Sequence, residues 1–107
     1  MTRYLHIGTD GSLAPMEEAL PYDRVAQIVG FPIQSHLIAG GRAYLHAGEL
    51  ATANGAEPNH FAGLLARTFI AGTAIVVGPP DEHGEDGTIP VAIEQDIRLR
   101  HEQWRAR

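Results

Sequence analysis

The sequence predicts a single α+β domain over residues 1–107, a small mixed or antiparallel sheet packed with two or three helices. Three observations predict it. The run Thr73-Ala74-Ile75-Val76-Val77 is an unbroken set of small and branched apolar residues, as suits a central strand buried on both faces. Segments 4–7, 33–38 and 42–46 alternate with a period of two, the pattern of half-buried strands. Three further sets recur at helical spacing: Val25, Ile28 and Val29; Phe61, Leu64 and Leu65; Ile93, Ile97 and Trp104. A chain of 107 residues is the size of one domain.

The elements follow in chain order. Tyr4 to Ile7 is rich in strand formers, and Gly8-Thr9-Asp10-Gly11-Ser12 is a turn with Asp-Gly as its strongest signal. Leu13 to Met16 returns as a second strand, held to a sheet edge by Pro15, which has no N–H for a ladder. Pro21 sits in a first helical turn, and Gly30 stops the helix that carries Val25, Ile28 and Val29. Phe31-Pro32 opens an extended segment from Ile33 to Ile38. Ala39-Gly40-Gly41 turns it into a hairpin, and Arg42 to His46 is the return strand. Gly48 to Glu57 is irregular. Pro58 marks the start of a second helix, with Phe61, Leu64 and Leu65 as its apolar stripe. Gly78-Pro79-Pro80 ends the central strand, residues 81–88 form an exposed acidic loop, and Thr88 to Val91 reads as a short strand. A C-terminal helix follows. Its acids (Glu94, Asp96) come early and its arginines late, in line with the helix dipole.

Composition narrows the function. There is no cysteine, so disulfide and thiolate chemistry are absent. All eight basic residues are arginine, which removes Schiff-base and P-loop lysine chemistry. The net charge of -5 opposes general nucleic-acid binding, although four arginines fall within the last ten residues. No apolar run reaches the roughly 18 residues that span a bilayer. The N-terminal residues run straight into a strand pattern without a secretory apolar region, so a cytoplasmic location is expected.

The segments Glu57-Pro58-Asn59 with Ala62, and Gly72-Thr73-Ala74-Ile75-Val76-Val77-Gly78, resemble a small bacterial, plasmid and phage family, the domain of unknown function three thousand eight hundred and forty-six. Members tend to show an N-terminal strand, a helix, a hairpin and a proline-asparagine helix. A Gly-x-Ala-[Ile/Val]-Val-Val-Gly strand and an acidic loop follow. The resemblance covers nearly the whole chain. It implies a compact α+β fold and a phage or mobile-element setting, and it brings no catalytic residue.

Six histidines invite a metal reading, but no helical His-x-x-x-His pair occurs. His36 and His46 are the one pair a hairpin could bring together. The acidic segment 81–87 fails the EF-hand pattern: counting from Asp81, the positions that need Gly and Glu hold Asp86 and Ala92. Neither a metal nor a cofactor is therefore expected. Ser12 and Ser35 lack a nucleophile-elbow context, and adjacent Glu17 and Glu18 face opposite sides of a strand. No catalytic set is visible.

The residues expected to bind are Asn54, Asn59, His60, Arg67, Arg98 and Arg100. His60 either donates to an anion at its helix N-terminus or is a solvated first-turn residue, with Asn59 or Asn54 as the cap. Asn54-Gly55 either lines a ligand loop or supplies turn geometry. Arg67, Arg98 and Arg100 are the natural donors to a nucleotide-like anion. Trp104, with Arg105, either anchors an interface or docks its helix on the sheet. The expected function is that of a non-enzymatic accessory binding protein of a phage or mobile element. It would block a host protein or sequester a small anionic ligand, in an anti-defence role. The alternatives are a small hydrolase or lyase with His60 or His46 as base, and an acidic nucleic-acid mimic. A homodimer is expected through a sheet edge near Leu13–Met16 or Arg42–His46.

Overall fold

A computed structural model describes all residues, Met1–Arg107. Five strands form one antiparallel sheet: β1 (Thr2–Ile7), β2 (Leu13–Glu18), β3 (Ile33–Ile38), β4 (Ala43–Gly48) and β5 (Ala74–Val77), in the order β2-β1-β5-β4-β3. Three helices pack on it: α1 (Tyr22–Val29), α2 (His60–Ala66) and α3 (Val91–Arg105). No helix is long and apolar enough to cross a membrane.

The 73–77 run is the centre of the structure. All four β5 residues are fully buried, because both neighbours and both faces are covered. Its pleat sends Ala74 and Val76 to one face and Ile75 and Val77 to the other. On the first face α2 and α3 cover Leu5, Ile7, Leu45, Ala74 and Val76. On the second, α1 covers Tyr4, Ile75 and Val77 with Val25 and Val29.

The β1–β2 turn is built by Asp10. Its Oδ1 accepts the Ser12 N–H at 3.0 Å, and the Gly8 N–H donates to the Ser12 carbonyl at 3.0 Å. The Ser12 hydrogen bonds hold the Asp10 carboxyl below its ordinary range. Gly11 sits at φ +87, and a Cβ there would lie 3.3 Å from the Trp104 ring, so another residue would strain the turn and press on the ring. A second close approach is at Gly78, whose N–H meets the Gly87 carbonyl at 2.8 Å. A Cβ on Gly78 would stand 2.0 Å from the Thr88 oxygen. Here the returning acidic loop crosses the end of β5.

Several expectations need correction. Arg42–His46 is no sheet edge: β4 lies between β5 and β3, and the edges are β2 and β3. Pro21 precedes α1 as its N-cap residue rather than entering the first turn. Leu64 is exposed, and the inward stripe of α2 is Phe61, Ala62 and Leu65, because α3 approaches from the Phe61 side. Thr88 to Val91 is not a strand. The Ile89 N–H reaches the Arg3 carbonyl at 3.0 Å, but Pro90, which has no N–H to extend a ladder, already takes the N-cap position of α3.

Candidate functional site

Two clefts flank the sheet, one on each face. The first has a volume of about 380 Å³ and lies between β3, the end of α2 and the middle of α3. Ile38, Leu65 and Ile93 supply apolar wall, and Arg67, Arg100 and Asp96 supply the polar groups. Arg67 is the C-cap of α2 in a left-handed conformation (φ 57), and its own N–H closes the helix on the Gly63 carbonyl. Its guanidinium makes no ion pair. Arg100 is tethered at 3.0 Å to Asp96, one helical turn earlier.

Arg98 belongs elsewhere. Its Nη1 donates to Glu94 Oε2 at 3.3 Å, where Glu94 already accepts both Nε and Nη2 of Arg3 at 2.7 and 2.8 Å. The Arg3 fork and Arg98 hold the Glu94 carboxyl below its ordinary range, and the Arg3 guanidinium is raised in return. This three-membered ion cluster ties β1 to α3.

Asn59 is buried and structural. Its Oδ1 accepts the Ala62 N–H at 3.3 Å as the cap of α2, while Nδ2 donates to the Ile7 and Gly72 carbonyls at 3.0 and 2.8 Å. Asn59 is the cap, so Asn54 is not. Asn54 and His60 are exposed, and neither lines a cleft. Trp104 packs on its own core. Its ring centroid is 5.3 Å from that of Phe61 and 5.8 Å from that of His101. His101 is the residue the helical pattern missed. It is buried on the Ile93–Ile97–Trp104 face, meets Phe61 edge-on at 4.9 Å, and its Nε2 donates to the Gly11 carbonyl at 2.7 Å. Arg105 is exposed, bordering a shallow depression with Asp10.

The second cleft, about 390 Å³, lies on the α1 face between that helix and the acidic loop. Its floor is Ile33, Ser35 and His46, its apolar wall is Leu20, Tyr22 and Val25, and its rim is His83 to Asp86. Ser35 and His46 are direct partners across the β3–β4 ladder. Ser35 Oγ lies 2.7 Å from His46 Nδ1, and His46 Nε2 lies 3.0 Å from Asp86 Oδ1. A hairpin pairing and a loop closing 40 residues later create this chain of hydrogen bonds, so no local spacing could reveal it. The same register separates His36 from His46. His36 faces Leu45 across the ladder and so lies on the opposite side of the sheet. No three His, Asp or Glu side chains converge in a metal-binding arrangement.

Elsewhere on this face, Tyr4 donates its hydroxyl to Glu18 Oε2 at 2.5 Å, and Arg24 Nε donates to Glu18 Oε1 at 2.6 Å. Burial, then the Glu18 bond, raises the Tyr4 phenol to about 12. The bonds from Arg24 and Tyr4 hold Glu18 low.

Searches against family models, curated proteins and solved structures return no match.

Proposed function

We propose that the protein is a small-ligand-binding accessory protein whose ligand carries a phosphate or carboxylate, held in the cleft between β3, α2 and α3. One observation supports this reading above the others: Arg67 and Arg100, from different elements, border one cleft with an apolar wall. A guanidinium offers planar paired donors to an oxyanion, and Arg67 has no competing carboxylate. The wall formed by Ile38, Leu65 and Ile93 suits a planar or apolar body such as a nucleobase. No serine, histidine or tyrosine lines this cleft, and its one carboxylate, Asp96, is paired with Arg100, so a bound ligand meets mainly groups that grip it. In the phage or mobile-element setting that the resemblance implies, holding such a ligand would withdraw a signalling molecule from the host.

Calorimetric titration of the protein with inorganic phosphate and a series of nucleoside mono- and diphosphates tests the reading. Binding is expected for the nucleotides, with affinity falling about tenfold or more in Arg67→Ala and in Arg100→Ala, as for the loss of a charge-assisted hydrogen bond. Asp96→Asn, which releases Arg100, is expected to tighten binding. Absence of heat across the series, or affinity in both arginine variants unchanged from the parent protein, would contradict it.

A further inference from the structure

We infer that the cleft on the α1 face is a hydrolytic site for small acyl esters, with Ser35 as nucleophile, His46 as its base and Asp86 as the residue that positions the base. The inference stands apart from anion binding on the opposite face, and it rests on the geometry of three side chains. An aspartate carboxylate can only accept, so the proton between His46 and Asp86 sits on Nε2. In the neutral imidazole Nδ1 is then the lone-pair nitrogen, and the hydrogen bond at 2.7 Å is donated by Ser35 Oγ. The serine proton thus already points at the group that would receive it. The two imidazole nitrogens exchange the parts they play in the familiar serine hydrolase triad, yet each does the same chemistry, since either can accept a proton when the other is held as a donor.

Accessibility divides suitably. His46 is 7% exposed, so its tautomer is protected from water, whereas Ser35 is exposed on the floor of the cleft. Ser35 lies among the lining residues of the cleft of about 390 Å³, which leaves room for an incoming acyl group. Leu20, Val25 and Ile33 offer an apolar wall for a short acyl chain. Among the other lining residues, Tyr22 and His83 carry side-chain donors, the kind of group that stabilises a developing oxyanion. The rim is acidic through Glu85, with Asp81 and Glu82 in the same loop, which disfavours anionic esters and admits neutral or cationic ones.

The reaction balances with water alone. Ser35 Oγ attacks the ester carbonyl carbon and its proton passes to His46 Nδ1. The imidazolium is stabilised through Nε2–H by Asp86. The tetrahedral adduct collapses, the bond to the alkoxy oxygen breaks, and the proton on Nδ1 leaves with the alcohol. Water then attacks the acyl-serine, yields a proton to Nδ1, and the bond to Oγ breaks as that proton returns to the serine. One ester and one water become one acid and one alcohol.

The test treats the intact protein with diisopropyl fluorophosphate and maps the adduct by peptide mass. It also follows release of nitrophenolate from 4-nitrophenyl acetate. A single adduct on Ser35 is expected, with turnover falling at least about 100-fold in Ser35→Ala, the scale of a lost nucleophile or base. Ser35 is exposed, so that variant keeps its fold, which its melting temperature verifies. Asp86→Asn is expected to lower turnover and to move the acid limb of the rate–pH profile, which a purely structural tether would leave in place. No adduct, an adduct on another residue, or unchanged turnover in Ser35→Ala overturns the inference.

Discussion

On the α2/α3 face, strand alternation delivers Leu5, Ile7, Leu45, Ala74 and Val76 into a core of 14 buried residues. On the α1 face the same strands contribute to a core of 6. One cause is coverage. The short α1 lies over the second face alone, whereas the first has both α2 and the 15-residue α3. The other is composition. At the positions where β1, β4 and β3 point towards α1, the sequence places His6, His46 and Ser35, in one row across the sheet with Ile75 between the histidines. The pair of faces teaches that a sheet can be stabilised through one side and leave its other side free to carry polar groups.

Substitutions on the two faces should differ in cost. The largest loss is expected at Phe61, which α3 covers with His101 and Trp104. Phe61→Ala should cost about 3–5 kcal/mol in denaturant unfolding, as for a large buried aromatic. Asn59→Ala follows. It removes one helix cap and two buried donations at once, for a loss of about 2–3 kcal/mol by the same assay. On the α1 face, Tyr4→Phe should cost only about 1 kcal/mol at neutral pH, because Glu18 keeps Arg24.

Two titrating groups, one on each side of the sheet, give stability opposite dependences on pH. The folded Tyr4 phenol is raised to about 12, so the folded state binds its proton more tightly than the unfolded chain. Stability from this group is present below the ordinary tyrosine range and is lost as pH climbs from about 10 towards about 12. Tyr4→Phe should flatten that part of a stability–pH curve. Glu94 works in the opposite direction. Its folded carboxyl is held low by Arg3, with Arg98 adding to the effect. Its contribution is present above the ordinary glutamate range and is lost as pH falls below about 4. Glu94→Gln should therefore melt earlier than the parent at pH 7, and the gap should close in acid. The smallest effect on stability is expected at Ser35, where replacement by alanine should change it by no more than about 0.5 kcal/mol, the usual scale for an exposed position.

Much of the fold was legible because its signals are local. The branched run at 73–77 could only be an inner strand, and Pro15 could only sit at an edge. Asp10-Gly11, Ala39-Gly40-Gly41 and Gly30 punctuated the chain where it turns. The α3 stripe was legible at Ile93 and Ile97. It was not at His101, since a polar residue on an apolar face gives no periodic signal. Arg67 and Arg100 were named from chemistry alone, and the fold does bring them to one cleft. Arg98, two residues before Arg100, turns to Glu94 because successive positions on a helix point about 100° apart. Asn54, His60 and Asn59 read as binders from their place in a polar loop and at a helix start. The first two stay in solvent, and the third is consumed by backbone satisfaction. The Ser35–His46–Asp86 chain was out of reach, because it depends on β3–β4 register and on where an acidic loop lands.

The most direct measurement is a titration of isotope-labelled protein with a nucleoside diphosphate, followed by amide chemical shifts. Changes are expected at Leu65 to Arg67, Ile93 to Arg100 and Ile38 to Gly40, with Ser35 and His46 undisturbed. Shifts confined to the α1 face, or none at saturating nucleotide, would contradict binding between β3, α2 and α3.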